Sequence, residues 1–390
     1  MEKAKTFKKH GNDKSLLNGQ SKNPENNVMA WKEWKMKKKE EHKKWKQERI
    51  LKKLQAEKNK NGQQQDAAEK VKNESGQQQD DVDKVKNKHI STVSIAVPGS
   101  IIDNAQSPML KTYLAGQIAR AAAVFNVNEI IVYSETSYDH IDDEQRLNLK
   151  IKNGCAQLLK ILRFLECPQY LRKYYFPIQK DLEYAGLLNP LVLPSHLKVE
   201  DECKYREGIV LDKPVKDGKG SFVYIGLRKT AIIDKVLEPN VRVTVELEEE
   251  QFSKRHFKGK AVSPTTPYKK DNIYWGYDVR SAKDLKAVLS ESPYKGGYDL
   301  TIGTSDKGQN VDTVVIPKFK HLLVVFGGLK GIESCLEADE TIEVNEPSEL
   351  FNYYLNTCPS QGSQIIRTEE AILITLAALR PGITQAQTAT

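Results

Sequence analysis

The chain predicts an α/β fold: a parallel sheet with helices on both faces, interrupted by a small β-barrel and preceded by a basic extension. Three observations carry this. A strand, an amphipathic helix and a second strand follow one another between Ser91 and Tyr133, which is the pattern of a βαβ unit. Between Tyr205 and Pro267 short strands succeed one another with no helical segment between them, which suggests a small antiparallel, OB-like barrel. Strand and helix patterns then alternate again up to Pro381. The boundaries expected from these changes are an extension (1–88), a first part of the α/β domain (89–203), the barrel (204–268), a second part (269–383) and a tail (384–390).

The extension explains the composition. Only 39% of the 390 residues are hydrophobic, low for a globular chain, so part of it is not expected to fold. The net charge of +8 is unevenly placed, because Met29 to Lys60 holds 13 Lys/Arg against 5 Glu and by itself carries as much. Such a run suits nucleic acid or nuclear import, and it equally suits a solvated helix. Residues 1–28 are polar and read as disordered. Met29 to Lys60 has strong helix formers without Pro or Gly, and Trp31, Trp34 and Trp45 share one face of that helix. The indoles dock either on the folded part or on RNA or a ribosomal partner. Two near-copies of a Gln-rich unit, starting at Gly62 and Gly76, form a low-complexity linker.

No signal-peptide h-region opens the chain, and its apolar runs are too short to span a bilayer. The five cysteines are scattered without a CxxC pair, which argues against a disulfide framework or a zinc site. The seven histidines form no metal-ligand cluster with them. A soluble intracellular protein without a metal is expected.

In the folded part, Ser91–Val97 is a strand ending at Pro98-Gly99, Pro108–Phe125 an Ala-rich helix and Asn128–Tyr133 a strand. Cys155–Glu166 is a leucine-rich helix stopped by Pro168. No Gly-x-Gly-x-x-Gly follows the first strand, which disfavours a dinucleotide site. The barrel strands are expected at 208–211, 221–225, 230–233 and 241–247. Their basic edges are Arg228-Lys229 and Lys254, Arg255, His256, Phe257 and Lys258. Basic residues around an aromatic fit single-stranded RNA, through phosphate contacts and stacking, although an ordinary solvated rim reads the same way. Strands at Tyr274–Arg280 and Tyr298–Ile302 flank a helix at 282–289, and the second strand runs into Gly303-Thr304-Ser305-Asp306.

The most informative stretch is His321 to Pro381. A buried strand (HLLVVF, 321–326) breaks into Gly327-Gly328-Leu329-Lys330-Gly331, a turn whose glycines let backbone approach a ligand. A second glycine-centred loop (NTCPSQGSQ, 356–364) leads to a helix. Thr368, Glu369 and Glu370 suit its start, and Arg380-Pro381-Gly382 its close. Two backbone-lined loops before a C-terminal helix can hold a small ligand, or can be ordinary connections.

The segments TVSIAVPG (92–99), GYDVR (276–280), GTS (303–305), FGGL (326–329) and NTCPSQGSQ (356–364) together resemble the SPOUT class of RNA methyltransferases. The resemblance is to its eukaryotic and archaeal branch with an inserted barrel, and it covers the chain from about 90 to 381. It implies a trefoil knot, which composition could not suggest. It implies S-adenosylmethionine as cofactor and S-adenosylhomocysteine as product, held by three segments. Those are Thr301, Ile302, Gly303, Thr304 and Ser305; then Phe326, Gly327, Gly328 and Leu329; then Asn356, Gln361, Ser363, Gln364, Ile366, Arg367, Thr368 and Glu369. It also implies a homodimer, a uridine N3 of large-subunit rRNA as target, and residence in nucleus, nucleolus and cytoplasm. One member of the branch is centromere- and spindle-associated, so kinetochore or spindle partners, or a non-catalytic RNA-binding scaffold, stand as the alternative. Because uridine N3 must lose a proton, the site needs a base or a cation. Arg280 is the expected cation, and Asp306 and Glu369 are the expected bases.

The charge run generates a first prediction. Removing residues 1–88 should weaken RNA binding and flatten its salt dependence, since fewer counterions are released, while leaving cofactor affinity unchanged. Binding isotherms over a salt series check this. An unchanged slope would make the arm a docking or localisation element.

Overall fold

Alternation of side chains along extended backbone is what divides the core. In β1 (Thr92–Pro98), Val93, Ile95 and Val97 face one side of the sheet and Ala96 the other; in β2 (Glu129–Tyr133), Ile130 and Val132 oppose Ile131 and Tyr133. All of these are buried, so the sheet must be covered twice. The computed structural model describes residues 91–135, 154–213, 215, 220–248, 255–338, 342, 344 and 346–388, all within the unit His89–Thr390. The expectations for residues 1–88 and for Lys254 lie outside the described residues.

The first face is covered by α1 (Pro108–Val124) and α2 (Gly154–Glu166), through Ile118 and Ala122 of α1 and Leu158 and Leu162 of α2. Ser107 caps α1, its hydroxyl accepting from the Leu110 amide at 3.2 Å, with Pro108 at the first helical position. A short helix, α3 (Gln169–Tyr175), leads towards the barrel. The barrel strands are β3 (Tyr205–Val210), β4 (Ser221–Tyr224), β5 (Ala231–Ile233), β6 (Arg242–Leu247) and β7 (Phe257–Val262). They close in the order β3-β4-β5-β7-β6.

Two sequence expectations are corrected here. The barrel has a fifth strand where only a basic edge was expected, and its β5–β7 pair is parallel. The strand was hidden because the middle of its inward positions is Gly259, between Phe257 and Ala261, a Cβ on which would lie 2.5 Å from Val245, while Lys258 and Lys260 face solvent. Beyond the barrel come α4 (Thr266–Asp271) and β8 (Asp278–Ala282), so the expected strand at 274–280 starts four residues late. Gly276 at φ +130° interrupts extended pairing, and Trp275 and Tyr277 are buried as a linker between barrel and sheet.

The remaining elements are α5 (Leu285–Ser290), β9 (Leu300–Asn310), β10 (His321–Val325), α6 (Gly331–Ala338), α7 (Pro347–Leu350), β11 (Tyr353–Asn356) and α8 (Thr368–Thr388). Six strands form one sheet in the order β11-β9-β10-β1-β2-β8, every neighbouring pair parallel. Helix α8 joins α1 and α2 on the first face through Ile372, Leu376 and Leu379; α5 and α6 cover the other through Leu285, Val288 and Ile332. Helices on both faces are thus observed.

Helix α8 does not stop at Pro381 and takes in most of the expected tail. The helix breaker is overridden by burial: Gly382 packs so closely on Ile316 that a Cβ would come within 2.8 Å, and Ala386 is buried. At its start Thr368 is not the cap. The Arg367 amide donates to Glu370 Oε2 at 3.1 Å, and the Thr368 hydroxyl reaches away to Gly327 O at 3.0 Å.

Barrel and sheet are locked by a buried charge cluster. Arg242 on β6 donates two bonds to Glu166 on α2, at 2.7 and 2.8 Å, and a third to Glu207 on β3 at 2.8 Å. Glu207 also accepts from Thr244 at 2.6 Å and from the Trp275 indole at 2.5 Å. Arg242→Ala would leave Glu166 without its cation and Glu207 with only its Thr244 and Trp275 donors, and should cost about 2–3 kcal/mol. Lys204→Ala, removing a half-exposed partner of Glu246 and Asp271, should cost less than about 1 kcal/mol. Chemical denaturation of the two variants checks the contrast.

Candidate functional site

A cavity of about 300 Å³ opens beyond the C-terminal ends of β10 and β11, beside residues 304–307 of β9 where that strand runs on past β10. That is where open parallel sheets place ligands. Its size is at the lower end of small-ligand pockets, which run from about 300 to 1,000 Å³.

The first wall comes from a break in pairing. Strand β11 pairs Tyr354 with Gly303 and its next residue, Leu355, with Gln309, so residues 304–308 have no partner there. Thr304, Ser305, Asp306 and Lys307 are thereby presented to the cavity. Thr304 donates to Val325 O at 3.0 Å, and Asn356 Nδ2 to Asp306 O at 2.9 Å, fixing this wall against β10 and β11.

The second wall is the turn between β10 and α6. A Cβ on Gly327 would lie 2.4 Å from the backbone of Gly331 and Ile332, so only glycine permits the chain to fold this tightly. A Cβ on Gly328 would instead meet the Glu135 carboxylate, a movable side-chain end, at 2.2 Å. Phe326, Leu329, Lys330 and Glu333 complete this wall.

The third wall is the loop after β11 and the first turns of α8. Asn356 Oδ1 accepts from the Cys358 amide at 3.0 Å, and the Thr357 and Thr375 hydroxyls lie 2.7 Å apart. Gln361, Gln364, Ile365 and Ile366 face the space from the loop, and Thr368, Ala371, Ile374 and Thr375 from the helix. The Thr368 bond to Gly327 O ties this wall to the second.

The cavity is chemically two-sided. Phe326, Leu329, Ile365, Ile366 and Ile374 make an apolar part, and Leu329 and Ile365 are 71% and 66% exposed. Asp306, Lys307, Lys330 and Glu333 make a charged part. Burial would push the Glu333 carboxyl up, but its own backbone amide and Lys307, 3.1 Å away, hold it below the ordinary range. Glu333 therefore stays an ionised acceptor at neutral pH.

This arrangement fits S-adenosylmethionine. The apolar walls suit an adenine ring, Glu333 or Asp306 suits ribose hydroxyls or an ammonium, and Lys307 or Lys330 suits a carboxylate. The glycines let the backbone itself form the second wall, and a Cβ at Gly327 or Gly328 would point to Gly331, Ile332 or Glu135 and not into the cavity.

Eleven of the expected cofactor residues line the cavity: Thr304, Ser305, Phe326, Gly327, Gly328, Leu329, Asn356, Gln361, Gln364, Ile366 and Thr368. Six do not. Ile302 is wholly buried, a Cβ on Gly303 would strike Phe351, and Thr301 bonds Asn352 at 2.8 and 3.0 Å. Ser363 spends its hydroxyl on Ile365 O at 2.8 Å. Arg367 precedes the helix, and Glu369 lies off the face that carries Thr368, Ala371 and Thr375. Lys307, Lys330, Glu333, Ala371, Ile374 and Thr375 were not foreseen. The spacing of 3 and 7 from Thr368 was the available signal for Ala371 and Thr375.

Arg280, the expected cation, does not line the cavity. It lies on β8, at the opposite edge of the sheet. There it donates to the buried Glu129 at 3.0 Å, to Val288 O at 3.2 Å and to Tyr298 at 3.2 Å. Its surroundings are those of a structural ion pair. Asp306, one expected base, is in the cavity, and Glu369, the other, is not. On the barrel, Arg228, Arg255 and Lys258 are exposed and Lys229 is half-buried. Phe257, the aromatic expected among them, packs against the barrel interior. Among the described residues no cluster of His, Cys, Asp and Glu could hold a metal, and no helix is long and apolar enough to cross a membrane.

Residues 92–379 match a protein family described as "Putative RNA methyltransferase". The chain is 55% identical over 298 residues to the Homo sapiens 28S rRNA (uridine-N(3))-methyltransferase, covering 76% of this chain and 79% of that one. It is 54% identical over 297 residues to the Mus musculus protein of the same name, covering 75% and 77%. Among solved structures, a SpoU methyltransferase from Streptomyces viridochromogenes in complex with AdoMet aligns at a TM-score of 0.29 and 12% identity, over 76% of this chain and 60% of that one.

The walls generate a prediction about two adjacent glycines. Gly328→Val meets only the Glu135 side-chain end behind the wall, so the variant should fold, while the shift of the turn that makes room for it should lower affinity for S-adenosylhomocysteine at least about tenfold, or 1.4 kcal/mol. Gly327→Val meets backbone and should lower the melting temperature as well. Calorimetric titration and thermal melts of both variants separate the effects.

Proposed function

The chain belongs to the RNA methyltransferase family whose pattern spans residues 92–379, and from that membership we propose that it methylates N3 of a uridine in large-subunit rRNA. The observation that carries the proposal is the cavity at the ends of β10 and β11, beside β9, whose lining suits the methyl donor on a chain so similar to the uridine-N3 enzymes. The donor is S-adenosylmethionine, which when bound supplies an electrophilic methyl carbon. The protein's part is then to position the acceptor and to make it nucleophilic.

Uridine N3 carries a proton near neutral pH, and its lone pair becomes available to the methyl carbon when that proton leaves. Asp306 is the carboxylate we assign to accept it, because it lines the cavity on the stretch that has lost its β11 partner. Lys307 and Lys330 are the cations in the same cavity suited to negative charge on the base oxygens O2 and O4. The barrel residues Arg228, Lys229, Arg255 and Lys258, together with Lys254 from the sequence reading, are assigned to the RNA backbone, where cations position the substrate without reading its sequence.

A homodimer belongs to the same reading. Met109, Leu110 and Tyr113 on α1 and Leu373 on α8 are exposed apolar side chains on two helices that touch, and a second copy would cover them. Residence in the nucleus, nucleolus and cytoplasm, with spindle or kinetochore association in mitosis, is proposed on the family resemblance.

The test is single-turnover transfer of labelled methyl from S-adenosylmethionine to rRNA fragments, with RNA affinity measured in parallel. Asp306→Asn should slow transfer by roughly a hundredfold or more while RNA affinity is kept, the size expected of a lost general base. Equal losses in rate and affinity would make Asp306 a binding residue. Absence of transfer by the parent protein would overturn the proposal in favour of a non-catalytic RNA-binding scaffold.

A further inference from the structure

The outer surface of the barrel carries a row of rings that the cofactor site does not use. Strand β4 alternates, with Ser221 and Val223 buried and Phe222 and Tyr224 half-buried on the side away from the barrel interior, Tyr224 with one side packed on Cys167, Leu171 and Ile209, so the two rings sit about 6.6 Å apart along the strand. The Phe222 ring meets His256 edge-on at 5.1 Å, and the Tyr224 ring meets Tyr174 of α3 at 5.7 Å and a tilt of 54°. Tyr174 is 41% exposed, well above what a core tyrosine shows. The row therefore runs Tyr174, Tyr224, Phe222, His256.

Tyr224 is held in place from behind. Tyr170 lies edge-on to it at 6.3 Å and donates from its hydroxyl to Glu207 O at 2.8 Å. The Tyr170 ring rests on Gly226, at φ +76°, where a Cβ would lie 2.7 Å from the ring. Any other residue at 226 would dislodge the ring that orients Tyr224.

Cations accompany the row. Lys173 Nζ lies 4.9 Å from the Tyr174 ring centre and 5.8 Å from that of Tyr224. Across the sheet Phe222 is in register with Ile232, and Ile232 with Lys258. Strands β4 and β5 are the second and third strands of a five-stranded barrel, the face on which barrels of this kind take oligonucleotides.

We propose that this row is a stacking ledge for unpaired bases, with Lys173 and Lys258 beside it to meet phosphates. The proposal rests on the reading that the chain acts on RNA, and it adds the form of that RNA: the segment on the barrel is single-stranded, since a base inside a duplex offers no free face. Rings in series are indifferent to sequence, because every base has a π-face, so the ledge holds the flank of the target.

The experiment uses the full chain and two probes, a short labelled oligouridylate and a blunt RNA duplex of equal length. Replacing both Tyr174 and Tyr224 by Ala should weaken oligouridylate binding by at least about tenfold, with the salt slope unchanged, because stacking is lost and phosphate contacts are kept. Duplex affinity should hold. Tyr224→Phe keeps the ring and should restore binding to within about twofold of the parent. Lys173→Ala should instead lower the salt slope. Oligouridylate affinity unchanged in the double variant, or a parallel loss for the duplex, would overturn the ledge. Methyl transfer to rRNA by the parent, measured alongside, reports on the enzyme reading separately: transfer with no effect of the double variant on binding removes the ledge alone and leaves a protein-facing surface. Oligouridylate binding that depends on the rings, without transfer, keeps the ledge and removes the enzyme.

Discussion

Glu207 is the residue on which the arrangement of the two halves depends. It is 2% exposed, and its oxygens accept from Arg242, Thr244 and Trp275. The donors come from two places: the adjoining barrel strand supplies Arg242 and Thr244, and the linker back into the sheet supplies Trp275. Arg242 in turn grips Glu166 at the end of α2. A buried carboxylate is costly unless its lone pairs are met, so the barrel cannot turn relative to the sheet without breaking several bonds at once.

The sheet supplies the second constraint. Parallel strands buried on both faces leave only their ends for chemistry, and the sheet's outer edge at β9 and β11 is where pairing is allowed to fail. The failure is local. Gly308 returns to β11 so closely that a Cβ would lie 2.5 Å from Leu355, which re-establishes pairing directly after the exposed stretch. Four side chains thus enter the cavity on a rigid strand and not on a loose loop, and the hydrogen bond from Thr368 to Gly327 O closes the opposite side.

Arg280 teaches the limit of assigning roles by residue type. In the sequence it ends an aromatic segment, a plausible place for a catalytic cation. In the structure its guanidinium is committed to Glu129, Tyr298 and carbonyls of α5 at the far edge of the sheet. A cation already spent on a buried carboxylate is not free to stabilise charge elsewhere. Lys307 and Lys330, ordinary-looking lysines in the sequence, are the ones that the cavity receives.

The sequence by itself determined the elements whose signal is local. The continuously apolar strands β1 and β2, the helix opening at Pro108, the two glycine clusters and the all-strand insertion are consequences of nearest-neighbour chemistry, and all were readable. The tertiary structure decided what depended on distant partners. Strand β7 exists because Gly259 fits under Val245, and α8 passes Pro381 because Gly382 and Ala386 are buried. Residues 304–307 face the cavity because β11, nearly fifty residues later in the chain, pairs on either side of them and not with them. Such partners are separated by long stretches of sequence and carry no local mark, so only the folded packing could select them.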